Sequence, residues 1–207
     1  MITSQTKVLI VDYQMGNVAS VKKAFQKIGA DAIISANPAE INAATHLVLP
    51  GVGAFPDGIK NLKKNGLAEI LNQKVLREKT PILGICLGMQ LMAKKSFEFG
   101  EYDGLGWLNG EVKKLSAENT RLPHMGWNDI EIISSEDILK DIPDKNFYFV
   151  HSYHLDCVEK DIVTSYCEYG QKFIASVRKD NIFAVQFHPE KSQTSGLKVL
   201  KNFLTYA

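Results

Sequence analysis

The sequence predicts an α/β fold, a three-layer α/β/α arrangement with a largely parallel central sheet and an added antiparallel β region. Three observations carry that expectation. Short apolar, β-branched runs alternate with amphipathic helical patterns as far as about Gly100, the order that gives parallel strands joined by right-handed crossovers. Beyond it the texture changes to short strands and turns, which read as antiparallel hairpins. A chain of 207 residues, 45% of them hydrophobic, has the bulk to bury a large core in one domain, expected to span residues 1–207.

The elements follow in order. "KVLIVDY" (7–13) is a short apolar strand ended by the turn-prone "QMGN". Val18, Val21, Ala24, Phe25 and Ile28 recur at helical spacing, and Gly29 supplies a C-terminal stop. "DAIIS" (31–35) and "HLVLPG" (46–51) read as strands. "DGIKNLKKNGLAEILNQKVL" (57–76) reads as an amphipathic helix broken at Gly66, "PILGIC" (81–86) as a buried strand, and "GMQLMAKKS" (88–96) as the helix after it. Further strands are expected in "GWLNGEVKKL", "NDIEIIS", "NFYFVHSY", "IVTSYCEYG", "FIASVRKD" and "NIFAV", with "SGLKVLKNFLTYA" (195–207) as a closing helix. No internal repeat, low-complexity tract or linker is visible.

Composition narrows the function. With 24 basic and 23 acidic residues the net charge is +1, so no basic excess points to nucleic acid or a membrane surface. The N-terminus lacks the basic region and small-residue cleavage site of a secretory signal, and no apolar run approaches the roughly 20 residues that span a bilayer. Cys86, Cys157 and Cys167 form no CxxC pair and are odd in number, which argues against a disulfide framework or zinc site and suits a reducing cytoplasm. A cytoplasmic protein without metal or organic cofactor is the expectation.

The chemistry gathers on one cysteine. "GICLG" (84–88) has the form G-x-C-x-G between a predicted strand and a predicted helix, the nucleophile-elbow pattern with Cys in place of Ser. A sharp strand-to-helix turn lifts the thiol clear of the sheet, near a helix N-terminus whose partial positive charge favours thiolate. The bland alternative is a structural cysteine between two packing glycines; three cysteines and 15 glycines make a chance match rare. A base is offered by "QFHPE" (186–190): His188 follows a predicted strand, and Glu190 lies two residues on, where an extended chain turns side chains to one side. His46 precedes a strand and reads as structural. Donors for a developing oxyanion are available in "LPGVGAF" (49–55), as backbone amides of Gly51, Val52 and Gly53, and in the amide of Leu87. Neither a dinucleotide fingerprint nor a phosphate loop is present.

Together these motifs resemble the class I, triad-type glutamine amidotransferases, from "DYQMGN" near the N-terminus to "FHPEKS" near the C-terminus. Within that family "PGVGAF", "GICLGMQL", "PHMGWN" and "YFVHSY" are most similar to the branch that feeds ammonia to a (βα)8-barrel cyclase in histidine biosynthesis. The resemblance implies that Cys86 attacks the side-chain amide of glutamine, that His188 moves the protons and that Glu190 holds the imidazole. It also implies that Gln90 and Glu98, with backbone of His151, Ser152 and Tyr153, contact the substrate. "RLPHMGWND" (121–129) would otherwise read as a turn; the resemblance makes Pro123, His124, Met125 and Trp127 partner-facing, in a heterodimer with the cyclase. The family usually has glycine where this chain has Gln14. Three other readings stay open: a relative supplying ammonia to a sugar-modifying synthetase in surface-polysaccharide biosynthesis, a stand-alone γ-glutamyl thiol hydrolase, and a non-catalytic regulatory module.

Overall fold

Val8–Val11, His46–Leu49, Ile82–Ile85 and Ile182–Val185 are buried at every position, a pattern that needs a sheet covered on both faces. The computed structural model describes residues 6–64, 66–116, 120–134 and 137–206 and places these runs at the centre of such a sheet. The first half runs β1 (Val8–Val11), α1 (Val18–Lys27), β2 (Ala32–Ser35), α2 (Pro38–Ala43), β3 (His46–Leu49), α3 (Phe55–Lys64), α4 (Leu67–Asn72), β4 (Ile82–Ile85) and α5 (Leu87–Leu91). The second half runs β5 (Ala93–Ser96), β6 (Tyr102–Asp103), β7 (Leu108–Lys114), β8 (His124–Ile132), β9 (Asn146–His151), β10 (Tyr153–Cys157), β11 (Val163–Tyr169), β12 (Gln171–Lys179), β13 (Ile182–Val185) and α6 (Gln193–Phe203).

Among the described residues the main sheet has nine strands, in the order β2-β1-β3-β4-β13-β12-β11-β8-β9. Pairing is parallel from β2 to β13 and antiparallel from there to β9, so parallel pairs make up one half of the sheet and not most of it. Strand alternation divides the core. Val8, Ile10, Val48, Leu83 and Phe183 pack under α1 and α6, whereas Leu9, Val11, Leu47, Leu49 and Ile82 pack under α3, α4 and α5. A second sheet, β10-β7-β5-β6, joins the latter side through Leu108, Val112 and Leu155.

Several expectations need correction. "GMQLMAKKS" is a helix only to Leu91; Ala93–Ser96 is a strand. The Gly104–Leu108 segment captures the carbonyls that would continue the helix, with Leu105 N–H on Leu91 O (2.8 Å), Leu108 N–H on Met92 O (2.9 Å) and Gly106 N–H on Ala93 O (3.0 Å). "PHMGWN" is no turn but the start of β8. "NFYFVHSY" splits at Ser152 into strands of two different sheets. Helix α2 was legible in hindsight: Asn37 Oδ1 accepts from Ala39 N–H (2.8 Å), and Pro38 opens the first turn. The break at Gly66 stands, with φ at 65° between α3 and α4. Of the predicted segments, Met1–Gln5, Asn65 and Ala207 lie outside the described residues. No described helix is long and apolar enough to cross a membrane.

This topology positions a site. Register pairs Gly84 with Ala184 and Ile85 with Val185, and Cys86 N–H extends the ladder to Val185 O (2.8 Å). The residues after β4 and after β13 therefore emerge side by side at the C-terminal end of the parallel strands, where open α/β sheets hold ligands.

Candidate active site

Cys86 has φ 52° and ψ −106°, a conformation an L-residue adopts only under constraint. The constraint comes from close approach on both sides. A Cβ on Gly88 would stand 1.7 Å from Leu49 O, and one on Gly84 would stand 2.7 Å from Met92 Cε. Glycine at both places lets the first turn of α5 sit directly on the end of β3, and that contact bends the chain at Cys86.

His188 lies opposite. Its N–H donates to Tyr148 O (2.8 Å) and its carbonyl accepts from Ser192 Oγ (2.7 Å), so the backbone is held on both sides. Nδ1 meets Glu190 Oε1 at 2.7 Å with both side chains fully buried, and Asn17 Nδ2 donates to the same oxygen at 2.5 Å. A 3-10 turn, Pro189–Lys191, brings Glu190 under the ring; the extended geometry expected from the i, i+2 spacing does not. With Nδ1 committed to the carboxylate, Nε2 is the nitrogen left to face the sulfur, and it has no hydrogen-bond partner of its own. Burial works against a charged imidazole. The nearby Cys86 sulfur, followed by Glu190, outweighs it and raises the ring to about 10. The arrangement sets a cysteine beside an imidazole that is backed by a carboxylate.

A cleft of about 230 Å³ opens over Cys86 and brings together Val52, Gly53, Leu87, Gln90, Glu98, His151, Ser152 and Tyr153 of the predicted set, with Val150 beside them and Pro123 at its wall. Glu98 Oε2 accepts from Phe55 N–H at the start of α3 (2.8 Å), and burial raises its carboxyl. Gln90 Nε2 donates to Tyr153 O (2.8 Å) and to Gln186 Oε1 (3.1 Å), and Gln186 Nε2 reaches Cys86 Sγ at 3.6 Å. His151 contributes its ring to structure: Nδ1 binds Tyr153 O (2.8 Å) and Nε2 meets His124 Nδ1 (3.0 Å).

Two predicted roles change. The Val52 amide donates to Met15 O (3.1 Å), so in this conformation it is not available to an oxyanion. His124, expected at a partner interface, is buried between Phe149 and Tyr169 with ring centroids at 4.8 and 4.1 Å. The reason is strand alternation along β8: His124 faces in, whereas Met125 and Trp127 face out and are 62% and 45% exposed. Gln14 takes φ 66°, the left-handed turn that glycine takes at lower cost.

Sequence reasoning missed three residues. Tyr13 donates to Pro50 O (2.6 Å) beneath Gly51, where a Cβ would meet its hydroxyl at 2.1 Å. Asn17 and Gln186 touch the triad from segments already singled out, "DYQMGN" and "QFHPE", but only the tertiary contact reveals them. Cys157 and Cys167 are buried thiols pushed up to about 12 by burial, so they stay protonated.

The family model for class I glutamine amidotransferases matches residues 9–207. The chain is 50% identical over 198 residues to imidazole glycerol phosphate synthase subunit HisH 1 of Campylobacter jejuni, covering 95% of this chain and 98% of the relative. It is 49% identical over 203 residues to subunit HisH 2 of Methanococcus maripaludis, covering 97% and 100%. The solved structure of PurLQS from Thermotoga maritima superposes with a TM-score of 0.78 at 17% identity, covering 98% of this chain and 99% of that one, a likeness of fold. The chain is an enzyme and belongs to the class I glutamine amidotransferases.

Proposed function

We propose that this chain is the glutaminase subunit of an imidazole glycerol phosphate synthase, hydrolysing glutamine to glutamate and ammonia in histidine biosynthesis. The observation that carries the reading is Cys86 at the wall of the cleft with the buried His188–Glu190 pair beside it, in a chain that matches synthase subunits over nearly their whole length. The Cys86 thiolate adds to the γ-carbonyl carbon of glutamine, forming the C–S bond and a tetrahedral oxyanion near the Leu87 amide. The intermediate collapses, the C–N bond breaks, and the His188 imidazolium protonates the departing ammonia. Neutral His188 then takes a proton from water, which attacks the thioester and releases glutamate while the sulfur returns to thiolate. Glu190 holds the ring throughout.

Ammonia passes to a partner subunit. We propose a (βα)8-barrel cyclase, which would use it to form imidazole glycerol phosphate and AICAR. Exposed Met125 and Trp127 continue from Pro123 at the cleft wall and supply an apolar docking surface. Ammonia released into water is protonated and lost to the partner, so turnover is best withheld until docking. The Val52–Met15 hydrogen bond supports such gating, because the loop must release that amide before it can serve the oxyanion.

Glutamate release by the purified chain, measured alone and with the cyclase and its ligand, tests both parts. We expect slow turnover alone and a rise on the order of tenfold or more on docking. Cys86→Ala should abolish glutamine-dependent synthesis and leave synthesis from added ammonia intact. Equal rates with and without partner would remove the coupling, and glutamine hydrolysis by Cys86→Ala would remove the nucleophile.

A further inference from the structure

Gln186 opens the "QFHPE" segment and has no part in the reaction described above. Its backbone N–H continues the sheet to Ala175 O (2.8 Å), and its side chain is fully buried beside Cys86. The direction of its amide follows from neighbours that cannot be reversed. The Tyr153 carbonyl only accepts, so the nitrogen end of Gln90 must face it (2.8 Å). That same nitrogen reaches the Gln186 side chain at 3.1 Å, so the oxygen end of Gln186 must face Gln90. The nitrogen end is then left to face the sulfur, 3.6 Å away. Flipping either amide would set donor against donor or acceptor against acceptor.

We propose that Gln186 is a further catalytic residue, an N–H donor to the Cys86 thiolate, and that Gln90 is the positioning residue that aims it. The inference rests on Cys86 as the nucleophile. In the thiol form S–H can point at Val150 O, 3.7 Å from the sulfur; once ionised, the sulfur gains nothing from that carbonyl and needs donors. Gln186 supplies a directed N–H beside the His188 imidazole, so the ionised sulfur is held facing the cleft. This also accounts for a fully buried side-chain amide whose two ends each find a partner.

The test is the pH dependence of Cys86 alkylation by iodoacetamide in the full chain, corrected with Cys86→Ser for the two other cysteines. Gln186→Met keeps the length and removes the donor. We expect its alkylation midpoint to rise by about one pH unit, with the rate on the acid side of the midpoint falling about tenfold. Turnover of glutamine at neutral pH should fall in parallel, with kcat affected more than KM. Gln186→Glu, nearly isosteric and able to accept from Gln90, sets a carboxylate against the sulfur and should raise the midpoint further; it keeps the test decisive if the Met variant does not fold. Wild-type alkylation profiles in both variants would overturn the proposal, whatever happens to turnover, since a merely structural role leaves the thiol's ionisation unchanged. Glutamine hydrolysis surviving in Cys86→Ser would instead overturn the reading of Cys86 itself.

Discussion

His188 sets the pH response at the scale of single residues. Burial alone would push the imidazole down, and it is the Cys86 sulfur, then Glu190, that raise it to about 10. In the proposed mechanism the charged ring protonates the leaving ammonia, so kcat/KM should fall as pH rises through about 10. Glu190→Gln removes one of the two groups that hold the proton. Its alkaline limb should move to lower pH and its kcat/KM drop by roughly 10²-fold; a limb that stays in place in a profile of kcat/KM against pH would count against the assignment. Cys86, His188 and Glu190 were legible because the chemistry demands those residue types at an elbow and after a strand. Asn17 and Gln186 were not, since an amide carries no signal of which distant atom it will meet.

Among the elements, α5 decides whether the site exists. It is short, and its first turn rests on β3 because Gly88 has no side chain. Gly88→Ala would set a Cβ against backbone at Leu49 O, which no rotamer change relieves. We expect a loss of about 1–3 kcal/mol in urea unfolding, with activity lost beyond what stability explains, because Cys86 and the Leu87 amide move with the turn. Wild-type stability with full activity in Gly88→Ala would show that the contact does not hold the elbow. The helix itself was legible from its pattern, and its early end was not. Apolar periodicity continues to Met92, but the carbonyls of that turn are taken by Leu105, Gly106 and Leu108, a competition that no local window contains. The "PHMGWN" segment misled for the same reason: Gly and Pro punctuate it, yet β9 pairs with it residue by residue from His124–His151 onward.

For the molecule as a whole, the histidines define an acid limit to stability. Burial holds His124 at about 4 and His151 at about 3, below the ordinary 6.5, and lowers His46 and His154 as well. A base whose pKa is depressed on folding binds its proton first in the unfolded chain. The contribution of these two rings is therefore full above about 6.5 and falls as pH drops toward 4 and 3, each ring costing up to roughly 1.4 kcal/mol per pH unit. His188 acts in the opposite sense: its contribution is full below 6.5 and disappears as pH rises through about 10. Urea midpoints measured from pH 7 to pH 4 should fall steeply, and His124→Gln should flatten that slope; an unchanged slope would show that His124 is protonated in the folded state.

At this scale the division of labour is physical. Alternating β and α patterns, the fully apolar strands and the elbow glycines are local matters, set by periodicity and backbone sterics, and the sequence by itself determined them. The split of the β region into two sheets, the inward turn of His124, the amide chain from Tyr153 through Gln90 and Gln186 to Cys86, and the engagement of Val52 by Met15 were decided by tertiary structure. Each depends on which groups meet across 27 to 100 residues of chain. Hydrogen bonds and sheet edges are short-ranged in space but indifferent to separation along the sequence.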